Sequence, residues 1–212
     1  MRSDNDTIGR RSFIEEARRA QIVAAAAETV AEVGYAQASL ARIAERAGIS
    51  KSVISYHFDG KHELLAQVAG EFFEQAWEHM APRIDAAETA AGKLAAWITA
   101  EFEYFAAHRG RFLAMSEVVM NHRAPDGSRP FANDEADEID GMADIVAAGR
   151  AAGEFRDCDP REMAVMIVRC TEGVVGSWAM DERVDLATQA TALVDFVLHA
   201  LGAGPLDRRD PR

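Results

Sequence analysis

Cysteine is scarce: the 212 residues hold two, Cys158 and Cys170, twelve positions apart and in no C-x-x-C pair. That argues against a zinc ribbon and against a disulfide-stapled scaffold. No stretch approaches about 18 uninterrupted apolar residues, so no membrane-spanning segment is expected. Residues 1–11 are polar and charged and lack the apolar core of a signal peptide, which points to a cytoplasmic protein. No run alternates apolar and polar residues as a half-buried strand would. Signatures of catalysis are missing as well. There is no His-Glu-x-x-His, no Glu-x-x-His pair, no phosphate-cradling glycine loop and no Gly-x-Ser-x-Gly elbow. His62, His79, His108, His122 and His199 compose no convincing ligand set. The expectation is a non-enzyme with no metal and no cofactor.

What remains is helix. Alanine supplies 41 residues against 15 glycines and 6 prolines, a mix that favours helices over tight turns. Residues 1–12 have no apolar period and read as a flexible N-terminal arm. Helical spacing begins at 13 and runs to 33, with Ile22, Ala26, Val30 and Val33 on one face and Gly34 as its stop. Ser39 and Ser50 stand in N-cap position before two short helices, and Asp59-Gly60 opens a long one over about 61–81, ending before Pro82. Its apolar stripe rotates, from Leu64, Val68 and Phe72 to Phe73, Ala76, Trp77 and Met80, as expected of a helix touching two cores. Further helices are expected over about 94–107, 111–121, 132–152, 160–180 and 185–201. A loop carrying Pro125, Gly127 and Pro130 precedes 132, and a frayed tail covers 203–212. The fold class is all-α. Its expected domains are a DNA-binding domain over 13–62 and a second domain over 63–202, joined by the long helix.

Net charge is −12, which by itself discourages binding to a polyanion. Its distribution removes the objection. Residues 1–62 hold 9 basic and 8 acidic side chains, whereas residues 63–212 hold 14 and 27. Between Gly48 and Phe58 there is no acid at all.

That acid-free stretch lies in a segment, 39–57, built as a helix-turn-helix: two short helices, a three-residue Ala47-Gly48-Ile49 turn, and a small Ala44 where the helices cross. Ile43, Ile49, Ile54 and Phe58 supply its core. Lys51, Ser52, Ser55, Tyr56 and His57 are left on the outer face as donors for phosphates and base edges. The ordered set Ile22, Gly34-Tyr35, Ser39, Ile43-Ala44, Ala47-Gly48-Ile49-Ser50-Lys51, Tyr56-His57-Phe58, Lys61 and Leu64-Leu65 resembles the TetR-type transcriptional regulators. The resemblance covers about 20–68. It implies a three-helix DNA-binding domain, a connecting fourth helix, and a helical ligand-binding and dimerisation domain. It also implies a homodimer on a palindromic double-stranded operator, most simply a repressor released by a small organic effector. On this basis Ser39, Ser50 and Lys61 are expected to approach phosphates, Lys51, Ser52 and Ser55 base edges, and Tyr56 and His57 the backbone or nearby bases. Arg10 and Arg11 would reach an adjacent minor groove. Ser55 departs from the family's frequent tyrosine, and Ser52 from its frequent glycine. The alternative from another class is a helical interaction module whose helix-turn-helix has lost DNA binding.

In the second domain, the helices over 160–180 and 185–201 are apolar around more than half their circumference, as expected of a four-helix interface between two copies. Trp77, Trp97, Phe102, Phe105, Met115 and Met142 are the candidates to line an effector pocket. Glu101 lies in the middle of an apolar stripe between Trp97, Ile98 and Phe105. Two readings stay open for it: an ion pair with His108, Arg111 or Arg169, or the polar anchor of an amphipathic or cationic ligand. The six acids between Asp134 and Asp144 read as a solvated face.

Overall fold

The structure, a computed structural model, describes residues 3–123, 127–128 and 130–202, with the backbone alone for 3–13 and 132–134. Nine helices and no strand occupy the described residues: α1 (Ser3–Gln37), α2 (Leu40–Ala47), α3 (Lys51–His57), α4 (Lys61–Ala86), α5 (Ala90–Ala107), α6 (Arg109–Asn121), α7 (Ala132–Ala151), α8 (Pro160–Met180) and α9 (Leu186–Ala200). Side chains of the arm expected over 1–12, including Arg10 and Arg11, lie outside the described residues. So do Pro125 and the tail over 203–212.

The chain divides into two units, one of Met1–Phe73 with Gly110–Pro130, the other of Glu74–Arg109 with Phe131–Arg212. This differs from the boundary expected at 62/63. The break falls where the α4 stripe rotates. Leu64, Val68 and Phe72 are buried in the first unit, and Ala76, Met80 and Ile84 in the second. Residues 110–130 also join the first unit, because Phe112 packs edge-on against Phe72 with ring centroids 6.1 Å apart. Sequence spacing showed α6 as a helix but not which core it serves.

Helix boundaries follow local chemistry. Gly34 stops the regular part of α1 with φ +77°, a backbone region open to glycine. Asp159 accepts from the N–H groups of Arg161 and Glu162, and Pro160 follows it in the first turn of α8. Two ends differ from expectation. The long helix does not stop before Pro82 but continues to Ala86; proline withholds one donor there, while the Arg83 guanidinium donates to the His79 carbonyl. α5 starts four residues early: Thr89 caps it by accepting from the Gly92 N–H at 2.9 Å, and the distant Glu154 carboxylate accepts from the N–H groups of Ala90 and Ala91, both at 3.2 Å.

The second unit's core is formed by Leu94, Ile98 and Phe102 of α5, Met142 and Val146 of α7, Ile167 and Val168 of α8, and Val197 of α9, all nearly or fully buried. α8 has the length and mean hydropathy of a candidate span, but Arg161, Glu162, Arg169 and Glu172 interrupt it and its buried stripe packs on α7 and α9. α7 leans on a tight approach at Gly149. A Cβ there would lie 2.3 Å from the Phe155 ring and 2.7 Å from Ala90 Cβ. Gly-to-Ala in a helix is ordinarily stabilising, by about 0.5–1 kcal/mol. Here overpacking reverses the sign: Gly149→Ala is expected to lower the unfolding free energy by about 1–3 kcal/mol, read by urea titration.

Candidate functional site

The first unit presents α3 by holding both ends of the helix-turn-helix from α1. Gly48, in the left-handed region at φ +67°, turns the chain while its N–H and that of Ile49 return to the last turn of α2. Ile43, Ala44, Ile54 and Phe58 are buried beneath; Ile49, expected in that core, is only half-buried. Gln21 donates to the Ala47 carbonyl at 3.0 Å, fastening the end of α2. Arg19 donates to the His57 carbonyl, stacks over the Phe58 ring at 4.2 Å and lies 3.8 Å from Glu63, fastening the end of α3. Arg46 reaches back to Thr29 at 3.0 Å and pairs with Glu28 and Glu32.

Those contacts sort the expected DNA-facing residues. Ser39, Ser50, Lys51, Ser52, Ser55 and Tyr56 are exposed, Tyr56 at 74%. His57 is half-buried, its ring edge-on to Tyr56 at 5.0 Å. Ser39 caps α2 by accepting from the Arg42 N–H. Ser50 occupies the cap position of α3 but makes no cap bond; its hydroxyl lies 2.8 Å from that of Ser52. Lys61 is engaged within the fold. Its Nζ donates to the Tyr35 carbonyl at 2.6 Å and sits 4.7 Å from the Tyr35 ring, closing the C-terminal end of α1. Burial lowers its pKa. Of four cations in the 39–61 segment, Arg46 and Lys61 are thus occupied by the fold, Arg42 reaches Gln37 at 3.4 Å, and Lys51 stays on the exposed face of α3. Spacing alone misses Arg19 and Gln21, whose role depends on the crossing of α1 over α2 and α3.

The candidate effector residues divide. Met115 is buried in the first unit, and the other six belong to the second. There Trp97, Phe102, Phe105 and Met142 are buried, with Trp97 lying against Gly141. Trp77 stacks edge-on to Trp97 at 5.4 Å and is half exposed. Glu101 is 8% exposed and its Oε2 has no hydrogen-bond partner among the described residues. It forms no ion pair among the described residues. Arg169, one expected partner, instead pairs with Glu135 and Glu172.

Burial first, then Glu138 and Glu172, raise the Glu101 pKa well above the usual carboxyl range. Burial together with Glu172 and Glu135 pushes Glu138 up to about 7, against the opposing pull of Arg169. A carboxyl whose pKa is raised by folding holds a proton that the unfolded chain releases, so its contribution to stability is lost as pH rises. Unfolding free energy is therefore expected to fall from about pH 5 to about pH 8, and to fall less steeply in Glu138→Gln; urea titrations across that range read it. For the helix-turn-helix clamp, Arg19→Ala is expected to cost about 1–2 kcal/mol and to lower DNA affinity without removing a DNA contact.

The family model for bacterial regulatory proteins of the tetR family matches residues 22–68, the segment built above. The fatty acid metabolism regulator protein of Bacillus subtilis (strain 168) is 26% identical over 189 residues, covering 85% of this chain and 94% of its own. The HTH-type transcriptional regulator BetI of Cronobacter sakazakii is 25% identical over 201 residues, covering 91% and 96%. Among solved structures, FadR from Bacillus subtilis in complex with stearoyl-CoA superposes with a TM-score of 0.74 at 24% identity, over 84% of this chain and 96% of that one. A tetR-family regulatory protein from Rhodococcus RHA1 gives 0.76 at 21%, over 89% and 98%.

Proposed function

Because the chain belongs to the TetR family of bacterial regulatory proteins, we propose that it acts in the cytoplasm as a homodimeric repressor, leaving a palindromic operator when a small organic effector binds its second unit. The observation that carries the DNA half of this reading is the exposed, acid-free face of α3. A helix entering the major groove meets phosphates as well as base edges, so donors on its face gain contacts and the absence of carboxylates avoids phosphate repulsion. Lys51, Ser52, Ser55 and Tyr56 supply such donors, with Ser39 and Ser50 at helix starts where backbone N–H groups favour phosphate. Lys61 supports the site by fixing the end of α1 rather than by reaching for DNA. Ser55, where the family often has tyrosine, leaves Tyr56 as the aromatic contact on that face.

The dimer half rests on α8 and α9. Met166 on α8 and Phe196 on α9 are each 59% exposed. Between the two helices runs an open groove of about 450 Å³, lined by Cys170, Gly173, Val174 and Leu193 among others. Gly173 and Gly176 have open space where a side chain would stand, so a partner helix can approach closely. A two-fold pairing covers both helices and sets two α3 helices on successive half-sites. Effector control has a covalent route, since residues 61–73 of α4 belong to one unit and residues 74–86 to the other. For the effector itself, the relative from Bacillus subtilis holds stearoyl-CoA; the buried apolar wall of α5 and α7 supports a ligand with a hydrocarbon part here as well.

A gel-shift titration on DNA flanking the chain's own gene tests the reading. Saturable, salt-sensitive binding is expected. Lys51→Ala should weaken it about tenfold and reduce the salt slope by about one phosphate contact. Binding that is absent, or indifferent to Lys51→Ala, contradicts it and favours a helical interaction module without DNA affinity.

A further inference from the structure

Tyr35 stands one residue after the Gly34 turn and four before Ser39, the cap of α2, with the fully buried Ala38 between them. Its position therefore bears directly on where the helix-turn-helix starts. Three of its polar groups are taken up by other helices of the first unit. Its N–H donates to Glu117 Oε2 of α6 at 3.2 Å. Its carbonyl accepts from Lys61 Nζ of α4 at 2.6 Å. Its hydroxyl lies 3.3 Å from Nδ1 of His122, the residue whose N–H closes the end of α6 on the Val118 carbonyl.

His122 resists charging. It is 4% exposed. From α1, the Tyr35 ring stands edge-on to it with centroids 6.2 Å apart. From α4, the His62 ring stands at 5.4 Å, and Lys61 Nζ lies 4.7 Å from the Tyr35 ring. At its own end of α6 are Glu117 and Arg123. Glu117 is turned to the Tyr35 N–H and to the Asn121 amide, and the Arg123 guanidinium donates to the His122 carbonyl at 2.6 Å. Burial first, then His62 and Arg123, lower the His122 pKa. Neutral, with its proton on Nε2, the ring accepts from the Tyr35 hydroxyl. Protonated, both of its nitrogens are donors, so that bond is lost and a further positive charge stands beside Arg123.

We propose that neutral His122 is a positioning residue for operator binding: with Glu117 it latches the end of α1 through Tyr35, and its protonation opens the latch and weakens the hold on DNA. The proposal rests on the DNA-binding reading above and adds the proton as a regulator of it. The sign follows from burial. A histidine that resists a proton inside the fold accepts one once released, so the latch is complete above the ordinary histidine value of about 6.5 and is lost as pH falls below it. The buried carboxyls of the second unit work in the opposite sense, contributing more in acid, so global unfolding does not imitate this loss. His57 on α3 also works in the opposite sense, because its protonation adds a cation near phosphates.

Fluorescence-anisotropy titration of a labelled DNA fragment from beside the chain's own gene, at about pH 7.5 and about pH 5.5 and fixed ionic strength, tests this with the full chain. His122→Asn keeps an acceptor oxygen for the Tyr35 hydroxyl and does not titrate in this range, so it isolates the proton. At the higher pH its affinity is expected within about threefold of the unsubstituted chain; between the two pH values the unsubstituted chain should lose at least about fivefold relative to it. His62→Gln, which removes one neighbouring charge, should narrow that difference. Two measurements on the unsubstituted chain stand even if the variants do not fold. The His122 ring proton should titrate below about 6.5 by NMR, and hydrogen-exchange protection of the Tyr35 N–H should fall between the two pH values. Equal pH response in the unsubstituted chain and His122→Asn, a His122 titration at or above the ordinary value, or unchanged protection of Tyr35 overturns the proposal. The Lys51 variant separates the two failures. Absence of Lys51-dependent binding at the higher pH removes the DNA reading and this proposal with it. Lys51-dependent binding whose pH response is the same with and without His122 removes the proton latch alone.

Discussion

The arrangement on which the DNA-facing surface depends is a polar clamp from α1 onto two very short helices. α2 has 8 residues and α3 has 7, too few for either to be stable alone in water. They are held by a small buried cluster of Ile43, Ala44, Ile54 and Phe58, and by side chains of α1 that donate to the carbonyls at their C-terminal ends. Those carbonyls would otherwise lack partners. Arg19 and Gln21 therefore fasten the ends of α3 and α2 to α1, and Arg46 spends its charge on α1. The result is an outer face of α3 that is sparsely charged, with Lys51 as its exposed cation. In a chain of net charge −12, such a face gives weak non-specific attraction. Affinity must then come from specific contacts and from two copies acting together.

The second unit obeys a different rule. Its core is ordinary apolar packing except where the buried Glu101 faces the half-buried Glu138 and the exposed Glu172 without an ion-pair partner among the described residues. Burial raises the pKa of Glu101 and Glu138, which lowers the charge taken out of water. That makes the stability of this unit responsive to pH through these carboxyls. The same unit exposes Met166 and Phe196 on its other side, so its interior and its surface serve separate purposes.

Much of this was legible in the sequence. Helical periodicity, caps at Ser39 and Asp159, and the glycine at 48 place the helices to within a few residues, and the ordered motif from Ile22 to Leu65 identifies the helix-turn-helix. Local signals failed where a distant residue decides. Phe72 draws α6 into the first unit, Glu154 adds to the Thr89 cap at the start of α5, and Lys61 bonds the Tyr35 carbonyl, a contact its spacing does not show. Trp77 is a pocket candidate by the aromatic and methionine density of its unit; it stands half exposed. Glu101 is the reverse case. Its place in an apolar stripe marked it as anomalous, but its spacing could not say whether Arg169 was free to pair with it; Glu135 and Glu172 hold that guanidinium instead.

The central claim is that two copies, each presenting one α3, read one symmetric site. Sedimentation of the protein on a short operator duplex tests it most directly, because mass counts the chains. Two chains per duplex, with the free protein at twice 23.1 kDa, is the predicted result. A free species of 23.1 kDa that loads one chain per duplex would contradict the account.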